Sequence, residues 1–350
     1  MRRDLASPAL RGGLLALLAA ALFGLSTPLV QGLGAGIGPF ATAALLYGGA
    51  AAVAALLRRS ATREAQLRRG DLPRLLAMAC MGAVVGPVAL AWGLQRTSGS
   101  SASLMLTLEA VFTAVLAWRW YGETLDRRVI AAVALLLLGG VVLVLEQGLA
   151  GQVQLLGILA VTGATIAWGV DNTLSRAVAD RDPGQVVVVK AALGSVATLL
   201  MAWLSGEPVP GQRTALALLA VGATGYGLSL RFYLLAQREF GAARTGSVFA
   251  FAPFIGALGA FALGDRSGSW LMGLGGLFMV CGVVLHLAER HEHAHTHETM
   301  EHEHAHTHDD DHHTHAHDVM PTGLHSHRHR HTSVKHAHPH VPDAHHQHPH

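Results

Sequence analysis

Histidine is absent from the first 285 residues of this chain, although the 350-residue sequence holds 24 of them. Cysteine occurs only twice, as Cys80 and Cys281, each inside an apolar run, so no disulfide framework is expected and both read as small core thiols. Charged residues make up only 14% of the chain, low for a water-soluble protein. No Gly-rich phosphate loop of the Walker type is present, which argues against an ATP-driven pump. No nucleophile stands near a partnering base, and no metal-ligand triad falls inside an apolar run, so an enzyme is not expected. Nor does any basic patch point to nucleic acid.

What the sequence has instead is apolar length. Hydrophobic residues make up 51% of it, and 40 glycines are spread among them. Apolar runs of about 17–25 residues recur, each able to cross the roughly 30 Å hydrocarbon layer as a helix. Backbone facing lipid must satisfy its own hydrogen bonds, so these runs are expected to be helical. Ten are counted, at about 14–33, 38–57, 73–94, 101–120, 129–147, 155–177, 185–204, 214–236, 243–264 and 269–288. The first follows Arg2, Arg3 and Arg11, as a signal peptide would. It is too long for an h-region and lacks a small-residue cleavage site, so it reads as a retained span.

The second five runs repeat the first five. Gly122-Glu123 answers to Gly264-Asp265, and Gly140 to Leu143 answers to Gly282 to Leu285, both at an offset of 142. Phe23-Gly24 answers to Trp168-Gly169, and Pro39 to Pro183, at 145 and 144. Arginine decides orientation. One set of connections carries 17 of them, from Arg2 to Arg290, whereas the other carries only Arg96, Arg213 and Arg266. The positive-inside rule then places both termini in the cytoplasm. An odd number of spans per copy makes the second copy enter from the opposite side. The expected fold is all-α and integral to the membrane, with ten transmembrane helices as two inverted five-helix repeats. Its divisions are a cytoplasmic N-terminus (1–13), a first repeat (14–147), a second repeat (155–288) and a tail (289–350). The tail holds 23 histidines in His-x-His steps with almost no large apolar residue, so a disordered cytoplasmic segment is expected there.

With the inverted repeat stand the signatures Ala21 to Gly24 and Ile166 to Gly169, the Gly-Glu/Asp endings of spans four and nine, and the Gly-Val-Val-Leu of spans five and ten. Together they resemble the EamA-type members of the drug/metabolite transporter superfamily over about residues 12–288. That resemblance implies a ten-helix carrier with a central cavity, cytoplasmic termini and a small-metabolite substrate. Family members often carry a Glu-Pro pair in span four. Here the pair is Glu109-Ala110, while the second half keeps Pro253 but has Phe251 where the glutamate would fall. The tail lies outside the family pattern.

Ionisable groups inside the spans are few, and each costs roughly 2.5–3.5 kcal/mol at the bilayer centre, so they are expected to face the bundle interior. Glu109 lies about eight residues into span four, roughly 12 Å deep at 1.5 Å per residue. It reads as a proton carrier or cation ligand, against the alternative of a neutral acid bonded to a neighbouring helix. Asp171 and Asn172 in span six, Lys190 in span seven and Arg231 in span eight balance in charge with Glu109, as a substrate-binding network, an inner gate or a fixed ion pair. Trp168, Tyr226 and Tyr233 line a cavity or simply pack. Glu123 and Asp265 are expected at span ends, making helix-terminal or loop hydrogen bonds. Pro28, Pro39, Pro87 and Pro253 are expected to break helices locally.

In the tail, His291, His293, His295, His297, His302, His304, His306, His308, His312, His313, His315 and His317 form the candidate metal set. Neutral imidazole is a good ligand for Zn, Ni, Co and Cu, and no other cofactor is called for. The sequence therefore predicts a secondary transporter in the bacterial cytoplasmic (inner) membrane, surrounded by lipid, as monomer or homodimer. It moves a small metabolite, most simply as an exporter. The alternative is a divalent-metal exporter (Ni, Co or Zn) with the tail as collector.

Overall fold

In a polar solvent, small residues and leucines would compete for the interior; in lipid they need not. Along the first helix (Pro8–Leu33) Ala16, Ala19 and Ala20 are wholly buried, whereas Leu14, Leu17 and Leu18 are among the exposed residues. Lipid tails are as apolar as leucine, so close packing of small residues decides which face turns inward. The same rule overturns the expectation for the cysteines: Cys80 and Cys281 are both exposed on the bundle surface, not core thiols. An apolar flank does not mark a core when the surroundings are apolar too.

The computed structural model describes residues 8–57, 66–122, 127–175, 178, 181–240, 242–287, 292–296, 301–306, 325–330 and 335–339. Among the described residues eight helical stretches are long and apolar enough to cross a membrane, and two shorter apolar helices, Ala252–Ala262 and Trp270–His286, accompany them. The chain is an all-α membrane protein of two five-span repeats. Spans one, two, five, six, seven and ten are single helices: Pro8–Leu33, Pro39–Leu57, Arg127–Ala150, Gln152–Ser175, Pro183–Leu204 and Trp270–Leu287. The other four are irregular, and they are irregular in pairs.

Spans three and eight each contain one π-helical stretch. In span three, Ala79–Val85 lies between Leu72–Met78 and Gly86–Leu94. In span eight, Gly222–Leu228 lies between Gln212–Val221 and Ser229–Phe240. Spans four and nine are each broken in two. Gly99–Met105 is followed by Leu108–Tyr121, and Ala242–Phe249 by Ala252–Ala262. π-Stretches widen the helix by one residue and leave carbonyls less tightly bonded, which is why they gather at functional sites.

The prolines only partly follow expectation. Pro39 and Pro183 start spans two and seven, where a missing N–H costs nothing. Pro87 and Pro253 sit in the first turn after the π-stretch of span three and after the break of span nine. Pro28 interrupts nothing: its helix runs on to Leu33. It cannot donate to the carbonyl of Gly24 four residues back, and that oxygen lies 2.8 Å from where a Cβ on Gly256 would stand. Span nine crosses span one at that spot.

The halves interlock by reciprocal contacts. Span five packs along span ten and span two along span seven, while span one meets spans eight and nine as span six meets spans three and four. Glycines set the separations. A Cβ on Gly139 would lie 2.7 Å from the carbonyl oxygen of Gly275. In the two repeated signatures, Gly24 presses on span nine at Ala252 and Gly256, and Gly169 presses on span four at Phe112 and Thr113. The glycines of the Gly-Glu/Asp landmarks are both left-handed, Gly122 at φ 69° and Gly264 at φ 105°, so each ends its span as only glycine does readily. Glu123 lies outside the described residues. Asp265 meets its expectation: its carboxylate accepts from the N–H groups of Ser100 (2.9 Å) and Ser267 (3.0 Å).

Four short strands are described beyond the spans. Strands β1 (Glu292–Thr296), β2 (Glu301–His306), β3 (His325–Arg330) and β4 (Lys335–Pro339) form two antiparallel ladders, β1 with β4 and β2 with β3.

Candidate functional site

The break in span four determines where Glu109 stands. The second half-helix, Leu108–Tyr121, starts just after Thr107, and Glu109 falls in its first turn, where the positive end of the helix dipole favours a carboxylate. Its Oε1 accepts from Asn172 Nδ2 at 2.6 Å, across from span six. One residue earlier, Asp171 is 4% exposed and pairs with Lys190 of span seven. Only one of its oxygens is engaged: Oδ1 is buried without a hydrogen-bond partner.

The π-stretch of span three closes the cluster from the other side. The carbonyl of Gly82 accepts from both Tyr47 OH and Trp168 Nε1, the latter at 3.0 Å. Only glycine fits there, because a Cβ on Gly82 would strike the Asp171 carboxylate. Tyr47 in turn packs against Tyr226 of the opposite π-stretch, with ring centroids 5.6 Å apart and the rings tilted by 53°. Phe23 meets Tyr226 edge-on at 5.9 Å. Thus Phe23 and Trp168, the aromatics of the two repeated signatures, each address the π-stretch of the other half.

Six of the eight residues predicted in the spans converge here: Glu109, Asp171, Asn172, Lys190, Trp168 and Tyr226. Tyr233 stands one ring further out, against Phe249 at 5.0 Å, which reaches Phe23 at 5.5 Å. Arg231 is elsewhere, with Nη1 donating to the carbonyl of Leu57 at the end of span two (2.9 Å). The four-charge network expected of Glu109, Asp171, Lys190 and Arg231 is therefore a cluster of three. Tyr47 was missed by the sequence, since one tyrosine in an apolar run carries no signal of its partner 35 residues away.

A second polar region, also missed, lies at the arginine-poor end. A cavity of about 1190 Å³ opens there between the halves, lined by Gln31, Arg96, Glu146, Gln147, Asp265 and Ser269 among others. Glu146 is buried, and its oxygens accept from Ser269 Oγ (2.5 Å), Gln147 Nε2 (3.2 Å) and Ser101 Oγ (3.3 Å). Its signal was its place three residues after the repeated Gly-Val-Val-Leu, an acid at the end of an otherwise apolar span. At the same end Glu207 reaches across to the N–H groups of Phe40 (3.2 Å) and Ala41 (2.7 Å), capping span two. Span four, carrying Ser101 at one level and Glu109 eight residues deeper, runs from this cavity toward the inner cluster.

Of the metal set proposed in the tail, His293, His295, His302, His304 and His306 lie in strands β1 and β2. His291, His297, His308, His312, His313, His315 and His317 lie outside the described residues. Among the residues whose side chains are described, no three histidines, cysteines or acids stand close enough to hold a metal.

Two interlocked repeats with irregular spans around a polar centre suit a membrane transporter. The profile of the EamA-like transporter family matches residues 10–145 and again 155–288, and the chain belongs to that family. It is 28% identical over 235 residues to an "Uncharacterized transporter" of Methanothermobacter thermautotrophicus, covering 65% of this chain and 68% of that one. Its fold matches a solved crystal structure at a TM-score of 0.57 and 19% identity, over 79% of this chain and 95% of the other.

Proposed function

We propose that this transporter exports a small metabolite from the bacterial cytoplasm across the inner membrane, coupled to a proton or ion gradient. Both termini lie in the cytoplasm, and the arginine-poor end with its cavity faces outward. Glu109 carries the reading. Lys190 is engaged by Asp171, and among the described residues no cation pairs with Glu109, which is bonded only to a neutral amide. A lone carboxylate between two repeats, at the start of a half-helix, is suited to bind a proton and a cationic group of the cargo in turn. The Asp171–Lys190 pair and the aromatic rings shape the space around it. The His-rich tail binds metal and regulates or buffers, without being needed for the carrier cycle.

The second reading, a divalent-metal exporter with the tail as collector, is favoured by the tail's composition alone. One experiment separates the two. Cellular Ni, Co, Zn and Cu would be measured under metal challenge in cells with the full-length chain, the chain truncated after Arg290, or none. Metal content unchanged across all three supports the metabolite reading. Selective depletion by the full-length chain, weakened by truncation, would replace it with the metal reading.

A further inference from the structure

Glu146, at the arginine-poor end of span five, is a buried acid that takes no part in the inner cluster. It is 8% exposed, and the groups bonded to it are all neutral. Ser269 Oγ lies 2.5 Å from Oε1, while Ser101 Oγ at 3.3 Å and Gln147 Nε2 at 3.2 Å share Oε2. The same Nε2 also donates to Ser101 Oγ at 3.2 Å. Glu146 Oε2, Ser101 Oγ and Gln147 Nε2 therefore stand at the corners of a nearly equilateral triangle with sides of 3.2–3.3 Å.

Buried charges are normally paired or bound to a cation, and no side chain supplies one here. Among the described residues lining the adjoining cavity, Arg96 is the only cation. It is held over the Trp92 ring at 3.8 Å, with Nη1 donating to the Trp92 carbonyl at 2.9 Å. The cavity's other acid, Asp265, is taken up by Ser100 and Ser267. Glu146 and Gln147 themselves line the cavity, so an ion entering it meets them.

The triangle's size selects the ion. Oxygens about 2.3–2.4 Å from the centre of an octahedron stand about 3.3 Å apart, whereas the 2.0–2.1 Å of Mg2+ would bring them to about 2.9 Å. Carboxylate, hydroxyl and amide oxygens suit hard cations rather than Zn, Ni or Cu. A single carboxylate neutralises a single positive charge, which favours Na+ over Ca2+ of similar size. One corner is a nitrogen, but turning the Gln147 amide over puts its oxygen there. Thr97 Oγ1, which donates to Gln147 Oε1 at 2.9 Å, would then accept from Nε2 instead.

We propose that Glu146, Ser101 and Gln147 form a Na+ site on this cavity, with one face of the ion's shell from their oxygens and the other from cavity water. Ser269 is a positioning residue. Its hydroxyl accepts from the Met272 N–H at 3.1 Å and bonds the carboxylate oxygen left outside the triangle, so it ties the site to the start of span ten. Na+ binding here does not depend on what the carrier moves. That the ion enters from outside as the counter-ion of export rests on the export reading above.

The test reads binding alone, so its failure falls on the site and not on export. The full-length protein in lipid nanodiscs is melted at constant ionic strength in choline chloride, with Na+, K+ or methylammonium replacing choline stepwise. Na+ should raise the melting midpoint in a saturable way, with K+ and methylammonium well behind. Glu146→Gln, which keeps the shape, should lose the Na+ response measured from its own midpoint in choline. Ser269→Ala should need about tenfold more Na+, the lower end of what losing a supporting partner costs a metal site. Ser269→Thr, which keeps the hydroxyl, should respond as wild type does. An undiminished Na+ response in Glu146→Gln, or none in wild type, would overturn the site. Methylammonium matching Na+ would also overturn it, by making the triangle a seat for an amine.

Discussion

Span four and span nine hold equivalent places in the two repeats, and each is broken midway, after Met105 and after Phe249. Beyond the break span four presents Glu109, bonded to Asn172, whereas span nine presents Phe251, whose ring faces Phe254 at 6.2 Å. The same contrast holds at the π-stretches. Gly82 in span three is bound by Tyr47 and Trp168 and lies against Asp171, whereas Gly225, its counterpart in span eight, lies against the Ser26 side chain. Duplication copied the irregular backbone into both halves, but of the two broken spans only span four carries a carboxylate.

That asymmetry can be tested by moving it. The largest effect is expected from Glu109→Gln combined with Phe251→Glu, which keeps one carboxylate but transfers it to the other half. Transport should stay at least tenfold below wild type at equal protein level, because Asn172 and the Asp171–Lys190 pair do not move with the charge. Near-normal transport would mean that the halves are interchangeable after all.

Next comes the ion pair. Removing one partner of a buried pair typically costs about 3–5 kcal/mol, while replacing both by apolar groups is often close to neutral. Asp171→Asn or Lys190→Met alone should therefore lower the melting temperature in detergent well below that of the double variant. Equal losses in all three would show that the pair contributes little as a pair.

A smaller effect is expected at the π-stretch of the second half. A Cβ on Gly222 would run into the backbone of Leu46, whereas Gly163, two spans earlier in the same half, has open space. Gly222→Ala should destabilise by about 1–3 kcal/mol, as overpacking does, and Gly163→Ala by far less.

The smallest effect belongs to Asp265, a cap supplied by one half to span four of the other. Partial burial works against its charge, yet hydrogen bonds from Ser267 and from the Ser100 N–H outweigh it and hold the carboxyl below the usual carboxylate range. A depressed folded-state pKa stabilises above the unfolded value near 3.9 and is lost as pH falls through the folded one. Asp265→Asn should therefore lower stability by about 1 kcal/mol at pH 7, on the scale of a helix cap, with the difference from wild type fading below about pH 4. A difference that grows on acidification would contradict this assignment.

Much of this was readable in the sequence, for physical reasons. Span length is set by the bilayer, and an offset shared by Gly122 and Gly264 exposes the duplication because both need a left-handed backbone. Acids and bases in apolar runs are rare enough to be counted, which is why Glu109, Asp171, Asn172 and Lys190 were found together. What was hidden depends on tertiary contact. The π-stretches at Ala79–Val85 and Gly222–Leu228 are written in small apolar residues like those around them. Tyr47 gains its meaning from Gly82, and Glu207 from the N–H groups of Phe40 and Ala41, none of them neighbours in sequence. Arg231 was grouped with the acids because its charge balances theirs, a measure that leaves out which way around the helix it faces.

The central claim is that cargo crosses at Glu109. The direct measurement compares solute profiles of cells and medium, organic metabolites together with Ni, Co, Zn and Cu, for wild type and Glu109→Gln at matched membrane levels. A solute depleted from wild-type cells and enriched outside, with both changes gone in Glu109→Gln, is the result predicted. A solute that wild type and Glu109→Gln move equally well would remove Glu109 from the mechanism.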